Sequence, residues 1–219
     1  MAVDFPEESC HGLACKMTDE REYKGKTSMA HQMWQTDFTY LKIIGWGWYY
    51  LSTILDDYSR YIVHWELCPS MNAGDVKKTV GRALEKVSLP KGQMPKFLSD
   101  NGPCYISGQL KEFIKEREME HIRGKPNHPQ TQGKIERYHR SMKNIIKLEN
   151  YYLPGELKKR LEEFVDYYNN RGYHESLDNL IPATVYFGLD KKILENRKSI
   201  KKSTMLKRRK EHQIHKLKL

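Results

Sequence analysis

Long apolar runs are missing from this sequence, and no stretch approaches the ~20 residues that a membrane-spanning helix needs. Met1 to Ser9 is acidic and has no apolar core of the secretory-leader type, so no membrane partner is expected. Cysteine is scarce: Cys10, Cys15, Cys68 and Cys104 are all there is, without the spacing of a disulfide framework. Cys10-His11 with Cys15 hints at metal-ligand spacing, but no second half follows within finger-like distance. Four unpatterned thiols in a chain of this size suit a reducing cytoplasm. Histidine triads with metal spacing are absent too, which leaves His128, His139 and His174 to phosphate contacts or packing. Acidic charge is thin at one end only. From Asp190 to Leu219 there are twelve Lys and Arg against three Asp and Glu, while the whole chain carries +10. A near-neutral body with a basic tail fits a partner with a phosphate backbone, because bound cations release its counterions. The plainer alternative is a solvated, solubilising tail.

What is present is a chain of 219 residues rich in tyrosine, enough for one well-buried domain with appendages. Residues 1–30 show little periodicity and read as a leader or linker. Met33 to Tyr40, Trp48 to Leu55 and Tyr61 to Leu67 are dominated by β-formers. Separated by Gly45-Trp46-Gly47 and by Asp56-Asp57-Tyr58-Ser59-Arg60, they read as an antiparallel meander. Asp56 and Asp57, at a strand-end turn, read as structural. A helix is expected from about Asp75 to Val87, then a short strand over Lys96 to Ser99. Ser107 should cap a helix running to Arg117, and Glu120 to Arg123 should form a last strand. Gly124 to Gly133, rich in Pro, Asn, Gln and Gly, reads as a mobile loop. Helices are expected over about 134–149 and 154–170. In the second, Leu157, Leu161, Phe164, Val165 and Tyr168 make a core-facing stripe. The basic segment 190–219 reads as a helical tail, and no internal repeat is visible.

Three acids stand out against this background: Asp37 in Trp-Gln-Thr-Asp-Phe-Thr-Tyr, Asp100 in Leu-Ser-Asp-Asn-Gly, and Glu136 in Gly-Lys-Ile-Glu-Arg-Tyr. The first two fall at strands or strand ends, and the third lies in the first turn of an amphipathic helix. Aspartate is depleted from strands, so Asp37 asks for a reason. Asp100 alone could be a turn residue, and Glu136 alone could be half of an i, i+4 pair with Arg140. Taken together they read as oxygen ligands for hard divalent cations, since three crowded carboxylates repel unless cations neutralise them. Two such ions, Mg²⁺ with Mn²⁺ able to substitute, would support in-line phosphoryl transfer. On the same helix Ile135, Tyr138, Met142 and Ile145 form one face. Glu136, Arg140, Lys143 and Lys147 form another, a cationic stripe able to track phosphates. Lys207, Arg208, Arg209 and Lys210 in the tail are further candidates for phosphate contact.

At these residues the chain resembles the catalytic core of insertion-sequence transposases of the retroviral-integrase superfamily. The resemblance runs from about Thr27 to Lys210. Trp34 to Tyr40, Asp56 to Arg60 and Ser99 to Pro103 carry it, together with the specific run His128-Pro129-Gln130-Thr131-Gln132-Gly133-Lys134-Ile135-Glu136-Arg137. Thirty-five residues separate Asp100 from Glu136. Downstream, Tyr168-Asn169 with Arg171, His174, Leu177 and Pro182 resembles the family's post-catalytic segment. The resemblance implies a ribonuclease H-like α/β fold, with a mixed five-stranded sheet flanked by helices and a core over 31–189. It implies Asp37 as bridging ligand of two Mg²⁺ ions, with Asp100 and Glu136 each completing one. It also implies cutting at element ends, joining of a 3′-hydroxyl to target DNA, a homo-oligomer on DNA, and a bacterial cytoplasmic setting. Family members usually carry helix-turn-helix modules before the core. About thirty unlike residues precede it here, which suggests a truncated product, a second-frame product or a catalytic subunit. Two alternatives stay open: a metal-dependent nuclease of the same fold, and an inert DNA-binding remnant.

Overall fold

A computed structural model describes residues 26–90, 92–124 and 132–216. Cys10, Cys15, His128 and most of the expected Gly124–Gly133 loop lie outside these residues. The meander forms as β1 (Met33–Ile43), β2 (Gly47–Asp56) and β3 (Ile62–Cys68). β1 runs three residues past its expected end, because Leu41 and Ile43 keep the inward alternation. Gly45 and Gly47 sit at φ 82° and 92° around the hairpin turn, a backbone region that glycine enters without strain. After α1 (Ala73–Val87) come β4 (Lys96–Ser99), α2 (Pro103–Ile106), α3 (Gly108–Glu116) and β5 (His121–Arg123). Asn72 caps α1 reciprocally with Asp75, and Ser107 caps α3 by accepting from Leu110 N–H at 3.2 Å.

The sheet has five strands in the order β3-β2-β1-β4-β5. β1–β2 and β2–β3 pair antiparallel; β1–β4 and β4–β5 pair parallel. The sheet is therefore mixed, as a meander followed by crossovers must be. Each face is covered. On one, Trp34, Ile54, Val63 and Phe97 pack against Val76, Val80 and Ala83 of α1, Tyr105 of α2 and Leu110 and Ile114 of α3. On the other, Leu41, Ile43, Leu51, Leu55 and Ile62 pack against α4 (Gly133–Ile146) and α5 (Pro154–Asn170). The α5 stripe of Leu157, Leu161, Phe164, Val165 and Tyr168 is buried as its spacing requires. Asn169 fastens α5 to the sheet edge. Its amide accepts from Ile62 N–H at 2.9 Å and donates to Ile62 C=O at 3.1 Å.

The chain then passes through a 3₁₀ turn (Glu175–Leu177) and α6 (Pro182–Tyr186) into α7 (Asp190–Lys216), which buries no residue. Two features go beyond the expectations. α2 has no apolar period and was not foreseen; it forms because Cys104 and Tyr105 reach the core from a single turn begun by Pro103. On α4, Ile146 is buried while Ile145 is half-buried, and His139 also turns inward.

Candidate active site

Asp37 lies on β1 opposite Thr53 of β2. Alternation puts it on the face shared by Gln35, Leu41 and Ile43, the face that α4 covers. On its other side β1 pairs with β4 through Met33↔Lys96, Trp34↔Phe97 and Gln35↔Leu98. Continued by two residues, this parallel register sets Asp37 level with Asp100, the residue that follows β4. The electrostatics agree. Burial raises the Asp100 carboxyl above the usual carboxylate range, a hydrogen bond from Gly102 N–H opposes the rise, and the charge of Asp37 adds to it. Gly102 N–H donates to Asp100 Oδ1 at 2.9 Å, and a Cβ on Gly102 would stand 3.0 Å from that oxygen. Glycine here lets the carboxylate fold back onto its own turn. Asn101 Nδ2 donates to Gly124 C=O at 2.6 Å, tying this turn to the end of β5.

Glu136 is exposed in the first turn of α4. It shares a cleft of about 480 Å³ with Asp37, His139, Arg140, Lys143 and Lys147. The cationic stripe read from the sequence thus borders the same cleft as two of the three acids. Lys143 Nζ rests 4.6 Å from the centre of the Tyr40 ring, a cation–π contact. Burial and neighbouring Lys147 lower the Lys143 pKa, and Asp37 partly offsets them. Lys207, Arg208, Arg209 and Lys210 are exposed in the last third of α7, where Lys207 pairs with Glu211 at 3.9 Å. His139, expected to make phosphate contacts or packing, packs inward and meets Asp37. It is buried, and its Nδ1 lies 3.4 Å from Asp37 Oδ2, while Asp37 Oδ1 accepts from Phe38 N–H at 2.8 Å. The only signal for it in the sequence is its place three residues after Glu136, one turn along the helix.

The donor chemistry at Asp37, Asp100 and Glu136 is all carboxylate oxygen, which suits a hard divalent cation. Among the described residues, however, no group of three or more His, Cys, Asp or Glu side chains is gathered closely enough to hold a metal ion. The structure brings Asp37 together with Asp100 through the sheet and with Glu136 through the cleft, and stops short of one shared cluster. The helix that carries Glu136 follows directly on the undescribed segment 125–131.

α4 is held against the sheet acids by a buried polar network. Asp57 accepts from Thr27 Oγ1 at 2.6 Å, Gln35 Nε2 at 2.7 Å and Lys134 Nζ at 2.5 Å. Gln35 Oε1 in turn accepts from Ile135 N–H at 3.2 Å. Asp56 accepts from His31 N–H, Ser59 N–H and Ser59 Oγ. The reading of both acids as structural holds.

Two overlapping matches to the family described as Integrase core domain cover residues 27–129 and 117–182, together more than half of the chain. The chain belongs to the integrase core family. This integrase core lies in the DDE, ribonuclease H-like superfamily, to which retroviral integrases and insertion-sequence transposases belong. It is 29% identical over 129 residues to the Gag-Pro-Pol polyprotein of mouse mammary tumor virus (strain BR6), which is 57% of this chain and 7% of the polyprotein. It is 29% identical over 154 residues to the transposase for insertion sequence element IS629 of Shigella sonnei, 69% of this chain and 50% of the transposase. The integrase core therefore spans a small part of the viral relative and half of the bacterial one. In fold it is similar to the HTLV-2 integrase catalytic core domain solved in complex with magnesium (trimeric form). The TM-score is 0.59 at 18% identity, over 74% of this chain and 99% of that one. Among the described residues no helix of the integrase core is long and apolar enough to cross a membrane.

Proposed function

We propose that this chain is the catalytic domain of a DNA transposase or integrase that cleaves a DNA strand and joins its 3′-hydroxyl to target DNA. The observation that carries the reading is the cleft on α4, where Asp37 and Glu136 stand beside Arg140, Lys143 and Lys147. Carboxylates alone would repel a phosphodiester, and a bare cationic groove would only bind one. The two together suit phosphate chemistry. Asp37, Asp100 and Glu136 would hold two Mg²⁺ ions, with Mn²⁺ as substitute. When bound, these ions supply Lewis-acid activation of the attacking oxygen and neutralise charge on the leaving oxygen. Asp100 follows a strand and is tethered by Gly102; Asp37 is held by Phe38 N–H and faces His139. These contacts fix two carboxylates in advance. Arg140, Lys143 and Lys147 would seat the backbone beside them, and Lys207, Arg208, Arg209 and Lys210 would add affinity without sequence preference. On this reading residues 31–189 are the catalytic core, 190–219 the basic tail and 1–30 a leader. The protein would act as a homo-oligomer on element ends and target DNA in a bacterial cytoplasm.

Incubation with Mn²⁺ and a labelled duplex bearing a free 3′-hydroxyl tests the proposal. Joined products support it, shortened products alone mean a nuclease, and a shifted but unaltered duplex means a binder. Asp37→Asn, Asp100→Asn and Glu136→Gln should each nearly abolish cleavage and joining. Stability without metal should hold or rise, because each change relieves repulsion. Wild-type turnover in any of the three removes that residue from the site.

A further inference from the structure

α4 turns about 100° per residue, so it presents three faces rather than two. Ile135, Tyr138, Met142 and Ile146 face the core, and Glu136, Arg140, Lys143 and Lys147 border the acidic cleft. Gly133, Lys134, Arg137 and Ser141 line a separate cavity of about 910 Å³, bounded across from them by Arg60, Tyr168 and His174. Its centre lies roughly a third of a turn around the helix from the cleft.

Three cationic side chains, Arg60, Lys134 and Arg137, line the cavity. Asp57 is saturated by Thr27, Gln35 and Lys134, and it is the Asp57 carbonyl, not the carboxylate, that accepts from Arg60 NH1. Among the described residues no carboxylate pairs with Arg137; Glu175 is the one acid in the lining. Arg60 is fixed in place by its backbone, at φ 65° in the turn between β2 and β3. Burial lowers its pKa first, the charges of Asp57, Tyr168 and Asp56 oppose that fall, and the charge of Arg137 adds to it. His174 is lowered likewise, by burial and then by Arg60 and Arg137. Two guanidiniums and an imidazole therefore converge on one volume, with Glu175 the one acid in its lining and no ion pair to Arg137 from any described carboxylate. Planar guanidinium forks match the oxygens of a phosphate better than any other biological anion except a carboxylate.

We infer that Arg60, Arg137 and His174 form a second phosphate site, which takes a backbone phosphodiester of DNA on the face of α4 about a third of a turn from the acidic cleft. The choice of DNA as source rests on the function proposed above; the anion site itself rests on the cavity. DNA phosphates on two neighbouring faces would make α4 a helix gripped by nucleic acid along one side, with the phosphate at Arg137 set apart from the one in the acidic cleft.

Arg137 is exposed and makes no ion pair with a described carboxylate, so Arg137→Gln should fold. The full chain's affinity for a duplex, measured over a range of salt, should show a log–log slope smaller by about 0.9 in Arg137→Gln. Lys115→Gln, an equal charge change on exposed α3, should leave the slope unchanged. In parallel, the His174 imidazole resonances should shift saturably on titration with inorganic phosphate in the wild type and not in Arg137→Gln. A slope equal to wild type overturns the inference, and so does an equal fall in Lys115→Gln. A phosphate-induced shift without a change of slope overturns DNA as the occupant. A strand-transfer assay on the wild type separates the two readings. Joining with no slope effect sinks this site alone, while a slope effect without cutting or joining sinks the catalytic reading and keeps the site.

Discussion

Asp57→Ala should cost the fold about 4 kcal/mol, by a route that can be followed group by group. The carboxylate is 2% exposed and receives three side-chain donors. Removing one partner of a buried ion pair costs about 3–5 kcal/mol, most of it the stranded charge. Here the Lys134 side chain keeps 32% exposure, so water recovers part of that charge and the lower end applies. Stranding the Gln35 amide adds about 1 kcal/mol. Urea unfolding of the full chain should show a midpoint lower by about 1–2 M at an unchanged m-value. Adding Lys134→Met to Asp57→Ala should recover part of the loss, because the stranded ammonium goes with it. A midpoint within about 0.3 M of wild type would refute the reasoning. So would a double variant that is less stable than the two single changes added together.

Stability should also fall with acid through His121, whose pKa is lowered to about 4 by burial and then by Arg123. The unfolded chain takes up this proton near pH 6.5 and the folded chain does not until about 4. Up to about 3 kcal/mol is therefore lost as pH drops through that window, and urea midpoints of wild type and His121→Gln should converge there. Ile146→Ala should cost about 2–4 kcal/mol and Ile145→Ala about 1, since only the first is fully buried; equal midpoint shifts would contradict the assigned helix rotation. Cutting the chain after Ile200 should leave the thermal midpoint of the body unchanged, because α7 buries nothing. It should also flatten the salt dependence of DNA binding by about 0.9 for each phosphate the tail no longer neutralises, and equal slopes would make the tail a solvated appendage.

β4 and α5 were legible to the residue, each for a local reason. Lys96 to Ser99 is a short apolar run stopped by Asp-Asn-Gly, and Pro154 starts a helix whose apolar stripe never breaks. α2 was not legible, because one turn has no period and its stability comes from where Tyr105 lands. The apolar face of α4 was legible, with Ile145 packing at its edge, but the burial of Ile146 depends on how the helix docks. At the site, the residue types and their order could be read from the chain. Their spacing could not, since the level setting of Asp37 and Asp100 depends on which strands pair, and the approach of Glu136 depends on how α4 docks. His139 was hidden for the same reason, as only docking turns it toward Asp37.

The two packed layers answer to different parts of the chain. Asp37 stands on β1 and Asp100 just past β4, two strands joined by one parallel ladder, while Glu136 stands on a helix whose apolar contacts lie in the layer between α4, α5 and the sheet face of Leu41, Ile43, Leu51 and Leu55. Loosening that layer alone would withdraw one acid and leave the other two in register. On the proposed function, heat or a cavity on α5 would then silence strand transfer well below the temperature at which the sheet melts. On that reading, the third acid is therefore the one whose arrival the α4–α5 layer would govern.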